Sequence, residues 1–318
     1  MSMPDDSVAI KANEITMQFP GIVAVNHLSF DVKPGEIFGL VGPDGAGKTT
    51  TLRMLAGVLT PSSGQATVAG FDIVGDPEGV KNHISYMSQR FGLYEDLTVE
   101  ENIRFYADLF GLSRTERERR CSPLLEAAGM SPFQKRLAGK LSGGMKQKLG
   151  LICALIHTPQ VILLDEPTNG VDPVSRRDFW RILYSLLGER IAILLSTSYL
   201  DEAERCHRVA LLYQGRLLYC DTPAALKKQV SGAIVAVVSS DPRRLRDFLA
   251  GSEGISSTVL VGDGLHLTVD DPSKRVPELR ARMRSANLPF DRVEAVAPTI
   301  EDLFVQAVQS ESTRARGE

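Results

Sequence analysis

Apolar and polar residues alternate in short runs over the first part of the chain. Across Ala9–Phe30 these runs are interrupted by Pro20-Gly21, as in two paired strands joined by a turn. The turn Lys33-Pro34-Gly35 then precedes the apolar run Ile37–Val41, which predicts a buried strand. A glycine-rich loop follows, and apolar residues at helical spacing across Lys48–Leu59 predict a helix. The predicted order is therefore strand, glycine-rich loop, helix.

The middle of the chain predicts helices first, and then an alternation of helices with buried strands. Residues 99–140 are mostly helical in pattern, and the mixed charges of Arg114–Arg120 are typical of a solvated helix face. Two apolar runs without polar alternation, Val161–Leu164 and Ile191–Leu195, predict buried strands. Helices are predicted at Met145–Ile156, Ser175–Leu187 and Leu200–Cys206. This alternation predicts an α/β fold with a largely parallel sheet that is covered on both faces.

The pattern changes near Asp221–Ser231, and a second domain is predicted beyond it. Its predicted elements are strand Ile234–Ser239, helix Pro242–Leu249, hairpin Ser257–Val269 turning at Gly262-Asp263-Gly264, helix Pro277–Ala286 and strand Arg292–Val296. The order β-α-β-β-α-β predicts a small α+β domain of the ferredoxin-like type. We therefore divide the chain into a large domain at residues 8–230, a regulatory or assembly domain at residues 231–306 and a disordered tail at residues 307–318.

Composition and charge narrow the class of protein. The 318 residues suffice for one large domain and a small one, and 43% hydrophobic with 24% charged residues is ordinary for a soluble globular protein. A net charge of −3 gives no reason to expect nucleic acid as a partner. The four cysteines are scattered without a CxxC motif, which favours reduced, structural thiols over disulfides or a metal cluster.

The hydropathy of the chain predicts a protein of the cytosol. No apolar run approaches the roughly 20 residues that a membrane-spanning helix needs. The start of the chain, Met1–Ser7, is polar and acidic, unlike a signal peptide. Any role at a membrane is therefore expected to come through a partner.

A complete phosphate-binding pattern, GxxxxGK[ST], lies between the first buried strand and the helix. Its glycines let backbone N–H groups converge on phosphate oxygens, and the helix N-terminus adds a positive dipole. The lysine of this pattern reaches the β- and γ-phosphates, and the hydroxyl ligates Mg²⁺. The matching residues are Gly42, Pro43, Asp44, Gly45, Ala46, Gly47, Lys48 and Thr49. The sequence therefore predicts a site for ATP and Mg²⁺.

Two carboxylates follow the predicted strand Val161–Leu164. Asp165 is placed to hold the magnesium shell, as the acidic residue at the end of this strand does in P-loop enzymes. Glu166 can polarise an attacking water as a general base. The plainer interpretation is an ordinary strand that ends in a charged turn, but a phosphate-binding loop in the same chain favours the catalytic one.

A short motif indicates which class of P-loop protein this is. Leu141-Ser142-Gly143-Gly144-Met145 resembles the LSGGQ signature of ATP-binding cassette (ABC) proteins, with Met145 in place of glutamine. The resemblance covers about residues 8–230 and implies a P-loop ABC ATPase domain that has a mixed sheet and a helical subdomain. It implies that Ser142, Gly143 and Gly144 face the nucleotide of an opposite subunit. A second ATP-binding domain, in a homodimer or heterodimer, would complete the sandwich around two ATP molecules.

Other residues match positions with assigned contacts in the ABC family. Gln89 matches the glutamine that contacts Mg²⁺ and senses the membrane partner, and Gly92–Asn102 resembles the segment that touches the transmembrane subunit. Phe19 matches the aromatic residue on which adenine stacks; the alternative is a core phenylalanine in a strand. Asp172 matches the aspartate at the dimer interface.

Within the family, the likeness is to ATPases of ABC-2 type multidrug exporters. Three stretches carry it, namely the loop extended to Thr50, the run Phe91–Asn102 and the C-terminal Pro298–Phe304. The likeness implies a peripheral subunit on the cytoplasmic face of the inner membrane. It also implies an ABC-2 type transmembrane permease and a periplasmic adaptor protein as partners.

Two positions depart from the family pattern. The family normally reads Ser-Thr-His after the Ile191–Leu195 strand, whereas Ser198 stands here in place of the switch histidine. A hydroxyl is shorter than an imidazole and cannot carry positive charge, so we expect slow turnover at this site. His207 is expected at a helix end or the surface, not as a substitute. Asp44 replaces a more usual asparagine, and we expect it to cap the loop or face the partner's signature helix.

The function that the resemblance implies is ATP-driven export, in which ATP binding closes a dimer, hydrolysis reopens it and a permease receives the motion. One alternative is a soluble ABC ATPase that acts on nucleic acid or ribosomes. Such proteins usually fuse two ATPase domains or insert long coiled coils, and the sequence shows neither. Another alternative is a weakly hydrolysing, regulatory half of a heterodimer, for which Ser198 is the evidence.

Overall fold

A computed structural model describes residues 8–89, 92–262 and 264–317, with side chains as far as Glu311. Three features of the sequence fall wholly or partly outside these residues: the polar start Met1–Ser7, Phe91 of the permease-contacting run and Asp263 of the hairpin turn. The chain divides into two compact units between Cys220 and Asp221. This division falls at the start of the stretch Asp221–Ser231, where the pattern of the sequence changes.

The first unit contains two sheets and seven α-helices among its described residues. Its strands are β1 Ile10–Phe19, β2 Ile22–Val32, β3 Ile37–Val41, β4 Ser63–Val68, β5 Phe71–Asp72, β6 Ile84–Met87, β7 Val161–Asp165, β8 Ala192–Thr197, β9 Arg208–Tyr213 and β10 Arg216–Asp221. Its helices are α1 Lys48–Leu55, α2 Pro77–His83, α3 Val99–Leu109, α4 Arg114–Ala127, α5 Gly143–Leu155, α6 Pro173–Leu186 and α7 Leu200–Ala203.

The six-stranded sheet sets the position of the site. Its order is β10-β9-β3-β8-β7-β6, and β9, β3, β8, β7 and β6 pair in parallel. Strands β3, β7 and β8 are buried along their whole length. Val41 pairs with Thr197 and Asp165 pairs with Ser196. Because parallel strands end at the same edge, the segments that follow Val41, Asp165 and Thr197 come together.

The paired strands predicted near the N-terminus belong to a separate antiparallel sheet of order β2-β1-β4-β5. The predicted turn at Pro20-Gly21 lies between β1 and β2, which pair from Ile10↔Val32 to Phe19↔Ile22. This sheet shares one buried apolar core with the large sheet and α1. Burial of that shared core is the main force that holds the two sheets and the helix together.

Two predicted helices of this unit are shorter than expected. Helix α1 ends at Leu55 and not at Leu59, because Gly57 turns the chain with φ 64°. Helix α7 ends at Ala203 and not at Cys206, because the chain enters β9 and the His207 N–H donates to the Ile37 carbonyl at 2.9 Å.

The second unit contains one antiparallel sheet of order β12-β13-β11-β14. Its elements are α8 Pro223–Lys227, β11 Ala233–Val238, α9 Pro242–Leu249, β12 Ile255–Val261, β13 Gly264–Val269, α10 Pro272–Ser285, β14 Arg292–Val296 and α11 Ile300–Gly317. The stretch β11–β14 has the expected order β-α-β-β-α-β. It has its own apolar core, which includes Val235, Leu245, Leu267 and Met283.

Two predictions for the second unit were wrong in their bounds. Helix α10 begins at Pro272 and not at Pro277, because the Asp271 side chain caps it by accepting from the Ser273 N–H at 2.8 Å. Disorder was expected from residue 307, but α11 continues to Gly317. A capping box between Thr299 and Asp302 starts α11 and Leu303 is buried, so the helix has both a start signal and an apolar face.

The four cysteines are free thiols, and burial raises the pKa of the Cys121 thiol to about 11. In the part of the chain that the structure describes, no helix has both the length and the apolar character to cross a bilayer.

Candidate functional site

The predicted phosphate loop, Gly42–Thr49, joins the end of β3 to the start of α1. A side chain at Gly42 would overlap the backbone carbonyl of Leu212. Gly47 has φ 98° and lies against the carbonyl of Ala24. Only glycine fits these two places, since a Cβ would need the space and the left-handed backbone is strained for other residues. The loop is therefore packed into a single shape from both sides.

Lys48 is the first residue of α1 and is 5% exposed. Its Nζ donates to the carbonyls of Gly42 at 2.7 Å and Pro43 at 3.0 Å, and lies 3.0 Å from Glu166 Oε1. A buried ammonium needs such partners, because desolvation would otherwise disfavour its charge. The loop thus folds around a fixed positive charge.

Asp165 and Thr49 meet where β7 ends beside α1. Thr49 Oγ1 donates to Asp165 Oδ1 at 2.9 Å, and Ser196 Oγ donates to the same oxygen at 2.7 Å. Tyr86 lies 3.4 Å from Asp165 Oδ2; burial raises the pKa of Tyr86, and the Asp165 carboxylate raises it further, so the phenol stays protonated and can donate. Ser196 and Tyr86 were not predicted, because only strand register brings them to Asp165.

These donors fit Mg²⁺. Hydroxyl, carboxylate and amide oxygens are the ligands that this hard cation prefers, and it commonly takes only one or two carboxylates from a protein. Thr49 and Asp165 supply the first two kinds, and Gln89 lines a cleft that Thr49 also lines. Among the described residues, no group of three or more His, Cys, Asp or Glu side chains could hold a metal. The donor set therefore suits an ion that takes its other ligands from phosphate and water.

Glu166 has a left-handed backbone with φ 49°, which is uncommon for a residue other than glycine. Its N–H donates to Ser196 Oγ at 3.0 Å and to the Ser196 carbonyl at 3.2 Å. The carboxylate is buried against Lys48. Strain of this kind persists where surrounding contacts hold it, and it clusters at functional sites. The backbone therefore turns the Glu166 side chain back over the phosphate loop.

Ser198 lies beside Glu166, at the end of β8. Its N–H and Oγ donate to Glu166 Oε2 at 3.2 and 3.4 Å. His207 is not near this position, because its Nδ1 accepts from the Ile37 N–H at 3.0 Å, at the other end of β3 from the phosphate loop. Ser198 therefore occupies the switch position and contacts Glu166, and no imidazole among the described residues takes its place.

A cleft of about 470 Å³ runs over the loop. Its lining comprises Ile22, Val23, Ala24, Asp44, Gly45, Ala46, Gly47, Lys48, Thr49, Thr50, Gln89, Glu166 and Gln214. Glu166 and Gln89 line it beyond the loop, whereas the β2 residues and Gln214 form another wall. Phe19 is 43% exposed and pairs with Ile22, so it is not the core phenylalanine of the alternative interpretation.

Ile22, Val23 and Gln214 were not predicted as lining residues. For Ile22 and Val23 the sequence does contain a signal. They form an apolar pair directly after the Pro20-Gly21 turn, where the tip of a hairpin exposes its side chains. The structure leaves Ile22 64% and Val23 47% exposed. Gln214 follows β9, and only the parallel pairing of β9 with β3 brings it to the loop.

The signature residues lie apart from this cleft. Ser142 caps α5, and its Oγ accepts from the Met145 N–H at 3.3 Å. Ser142 and Gly143 are exposed, whereas Gly144 packs against Ser175 of α6 without room for a side chain. Within the described chain, none of the three lines the cleft over Lys48. The start of α5 is therefore presented at the surface by Ser142 and Gly143, and not by Gly144.

Asp172 and Asp44 are both exposed, but only the first has a clear structural function. Asp172 caps α6 by accepting from the N–H groups of Ser175 at 2.9 Å and Val174 at 3.1 Å, and these contacts lower its pKa. Asp44 lines the cleft and has no side-chain hydrogen bond or ion pair within the described residues. The capping contact expected of Asp44 is therefore absent from the described chain.

The chain matches known proteins over most of its length. The sequence model of the family described as ABC transporter matches residues 25–169. The probable multidrug ABC transporter ATP-binding protein YbhF of Escherichia coli (strain K12) is 42% identical over 97% of this chain and 53% of YbhF, so the chain spans about half the length of that relative. Nod factor export ATP-binding protein I of Burkholderia thailandensis is 37% identical over 86% of this chain and 90% of its own length.

Solved structures give the same result for the fold. The ATP-binding subunit of an ABC transporter superimposes with a TM-score of 0.64 at 31% identity, over 70% of this chain and 92% of its own. The dimeric bacterial ABC transporter cassette MJ0796 has a TM-score of 0.61 at 24% identity, over 67% of this chain and 98% of its own. The P-loop ABC ATPase fold, with a mixed sheet and helices, is thereby established. With 37% identity across nearly the whole of an export ATP-binding protein, the chain belongs to the ABC transporter ATP-binding proteins.

Proposed function

We propose that this chain is the ATP-binding and ATP-hydrolysing subunit that powers export through a separate ABC-2 type permease. The observation that carries the enzymatic part is the convergence of four side chains at one edge of the large sheet. Lys48 and Glu166 are 3.0 Å apart, and Thr49 and Asp165 are 2.9 Å apart. A cationic phosphate contact, a metal-ligating pair and a general base are the parts that ATP hydrolysis requires.

Each residue has a distinct task in this proposal. The loop N–H groups and Lys48 would bind the phosphates, while Thr49, Asp165 and Gln89 would hold Mg²⁺. When bound, Mg²⁺ neutralises charge on the phosphates and orients them. Glu166 would accept the proton of the attacking water, and Ser198 would orient the Glu166 carboxylate. Phe19, beside the apolar wall at Ile22, would stack on adenine.

We propose slow turnover for this site because Ser198 is short. Its hydroxyl contacts Glu166 at 3.4 Å, but it lacks the reach and the charge with which an imidazole would also contact the γ-phosphate. Loss of one such orienting contact commonly costs about 10²–10³ in turnover. Binding depends on the loop and Lys48, so it is expected to stay tight.

A second ATP-binding domain is part of the proposal. Ser142, Gly143 and Gly144 begin α5, and a helix N-terminus attracts anions. Because they do not line this chain's own cleft, we propose that they complete the site of a partner, in a homodimer or heterodimer. MJ0796 is a dimeric cassette, although its likeness to this chain concerns the fold alone.

The transport part of the proposal draws on relatives. Two of them are named for multidrug transport and Nod factor export. We propose a peripheral subunit on the cytoplasmic face of the inner membrane, with an ABC-2 type permease and a periplasmic adaptor as partners. Tyr94 in the permease-contacting run is 48% exposed and packs edge-on against Phe105 at 4.6 Å, which supports a docking surface there.

For the C-terminal part we propose a ferredoxin-like domain that regulates or assembles the transporter. The β-α-β-β-α-β order and the sheet order β12-β13-β11-β14 support this assignment. In this proposal residues 8–230 bind and hydrolyse ATP, and residues 231–306 act on the partners.

Affinity purification from detergent-solubilised membranes tests the transport proposal. A multi-spanning membrane protein recovered with the tagged chain in a fixed ratio is the expected result. Recovery of ribosomal proteins without any membrane protein would contradict it and favour the soluble alternative. The Tyr94→Ala variant is purified in parallel for comparison. It should recover less of the membrane protein at equal yield of the chain, because it removes an exposed ring from the proposed docking surface.

A regulatory half of a heterodimer is the second candidate, and Ser198 is the observation that favours it. In that case the chain binds ATP without measurable turnover, and its signature residues serve a faster site on another ATPase subunit. Co-purification of a second, different ATPase would support this candidate.

A further inference from the structure

Glu202 of α7 is a fully buried carboxylate that the hydrolytic site described above does not use. It is 0% exposed. Its Oε1 accepts from Thr168 Oγ1 at 2.6 Å and from Trp180 Nε1 at 3.2 Å, and its Oε2 accepts from Thr197 Oγ1 at 2.8 Å. A buried charge is tolerated only where such donors satisfy it, so these side chains are held in one arrangement.

Two of the three donors come from the segments that carry the site. Thr168 is two residues beyond Glu166, and Thr197 directly precedes Ser198. Thr197 Oγ1 also accepts from the Tyr199 N–H at 3.0 Å, which extends the bonded group past Ser198. The Glu202 carboxylate therefore ties the segment after Glu166 to the segment around Ser198.

Tyr199 joins the same two segments a second time, and α6 supports it through Arg176. The Arg176 Nε is 3.8 Å from Glu202 Oε1, and the Arg176 guanidinium stacks over the Tyr199 ring at 4.3 Å. The Tyr199 hydroxyl in turn donates to Asn169 Oδ1 at 3.3 Å. Asn169 follows Glu166 by three residues. This hydrogen bond therefore gives a second connection between the segment after Glu166 and the segment around Ser198.

We propose that Glu202 is a positioning residue for ATP hydrolysis, which holds Glu166 within hydrogen-bonding distance of Ser198. This inference rests on the role proposed above for Glu166. The contact from the Ser198 N–H measures 3.2 Å, at the long end of the usual range, and that from Ser198 Oγ measures 3.4 Å, beyond it. A shift of a few tenths of an ångström between the segments would therefore break these bonds, because the short serine side chain cannot extend to keep its contact with Glu166.

The test is the Glu202→Gln variant, which keeps the shape of the side chain and removes its charge. Single-turnover hydrolysis of MgATP, with the full chain in excess, should slow by about 10- to 100-fold, as misplaced catalytic groups commonly cause. The Kd for MgATP should change by less than about twofold, because the loop and Lys48 do not contact this network. The slowing should be smaller in the Ser198→Ala background, where the hydroxyl contact is already lost and only the backbone N–H contact remains to be positioned.

Glu36→Gln is the matched control. Glu36 is also buried, accepts from the Lys33 N–H at 2.7 Å and lies 3.4 Å from Arg208, but it precedes β3 at the end opposite the phosphate loop. This variant should lose thermal stability and keep the turnover rate. Equal slowing in Glu36→Gln and Glu202→Gln would overturn the inference, because it would show a general effect of a lost buried charge.

Thr168 supplies a second pair of variants that does not depend on the folding of Glu202→Gln. Thr168→Val removes the donor at nearly constant shape and should slow turnover, whereas Thr168→Ser keeps the hydroxyl and should restore it. Turnover within about twofold of wild type in Thr168→Val, or slowing additive with Ser198→Ala, would overturn the inference. Glu166→Gln separates the two proposals: if that variant still hydrolyses ATP, the role of Glu166 fails, and if it is inactive while Glu202→Gln is unimpaired, only the present inference fails.

Discussion

The two ends of the candidate site, the phosphate loop and the contact between Ser198 and Glu166, are constructed differently. At the loop end, Gly42 and Gly47 pack against backbone, and the Lys48 ammonium is bonded to two carbonyls. At the switch end, the exposed Ser198 is joined to Glu166 by two long hydrogen bonds. The loop end is specified by backbone shape, and the switch end by one short, uncharged side chain. From the function proposed above, we therefore expect ATP binding and ATP turnover to change independently.

The largest expected effect separates the two ends most sharply. Glu166→Gln should lower the single-turnover rate by about 1,000-fold, because an amide cannot accept the proton of the attacking water. The Kd for MgATP should stay within about threefold of wild type. Rapid-quench kinetics and equilibrium binding measure the two quantities. Persistent turnover in this variant would show that another group is the base.

Lys48→Ala should weaken binding at the loop end by about 100-fold. A charged hydrogen bond contributes about 1.5–3 kcal/mol, and the variant also leaves the Glu166 carboxylate and two carbonyls without their cation. Fluorescence or calorimetric titration with MgATP measures this change. Lys81→Ala is the matched control, because the Lys81 side chain forms a surface ion pair with Glu78 and its loss should leave binding unaltered. Unimpaired binding in Lys48→Ala would contradict the assignment of the loop.

Phe19→Ala tests whether the base is bound at the exposed hairpin. Base–aromatic stacking is worth about 1–3 kcal/mol, so the Kd for ATP should rise about tenfold, while the Kd for inorganic triphosphate should not change. Phe248→Ala, an exposed aromatic of the second unit, serves as control. Equal losses for ATP and triphosphate would show that Phe19 supports the loop and does not contact adenine.

Asp44→Asn should have the smallest effect. Asp44 is exposed and has no side-chain partner among the described residues, so solvent and salt screen its charge. The Kd for MgATP should change by less than about twofold. A gain of tenfold or more in affinity would show that this carboxylate repels the bound phosphates.

Much of the fold follows from the sequence, because its strongest signals are local. The apolar runs at β3, β7 and β8, and the glycine pattern before α1, identify the central strands and the loop. The bounds of α1, α7 and α10 were less accurate, because Gly57, the entry into β9 and the Asp271 cap decide them. Helix α11 was missed, since its polar C-terminal residues hide the apolar face that starts at Ile300.

The candidate site shows what local signals cannot supply. Asp165 and Thr49 are far apart in sequence. Their motifs, and not the periodicity of apolar residues, predict that both hold Mg²⁺. Ser196, Tyr86 and Gln214 reach the site only through the register of β8, β6 and β9. The left-handed backbone of Glu166 and the burial of Glu202 also arise from long-range packing. A single sequence does not encode these contacts in any short pattern.

The most direct measurement compares single-turnover hydrolysis and MgATP binding for wild type and Ser198→His. We expect wild type to bind ATP tightly and hydrolyse it slowly. We expect Ser198→His to raise the rate by about 100-fold, because an imidazole can hold both the Glu166 carboxylate and the γ-phosphate, with the Kd within about threefold of wild type. Brisk hydrolysis by wild type, with no change in Ser198→His, would contradict the central claim that the switch end limits turnover.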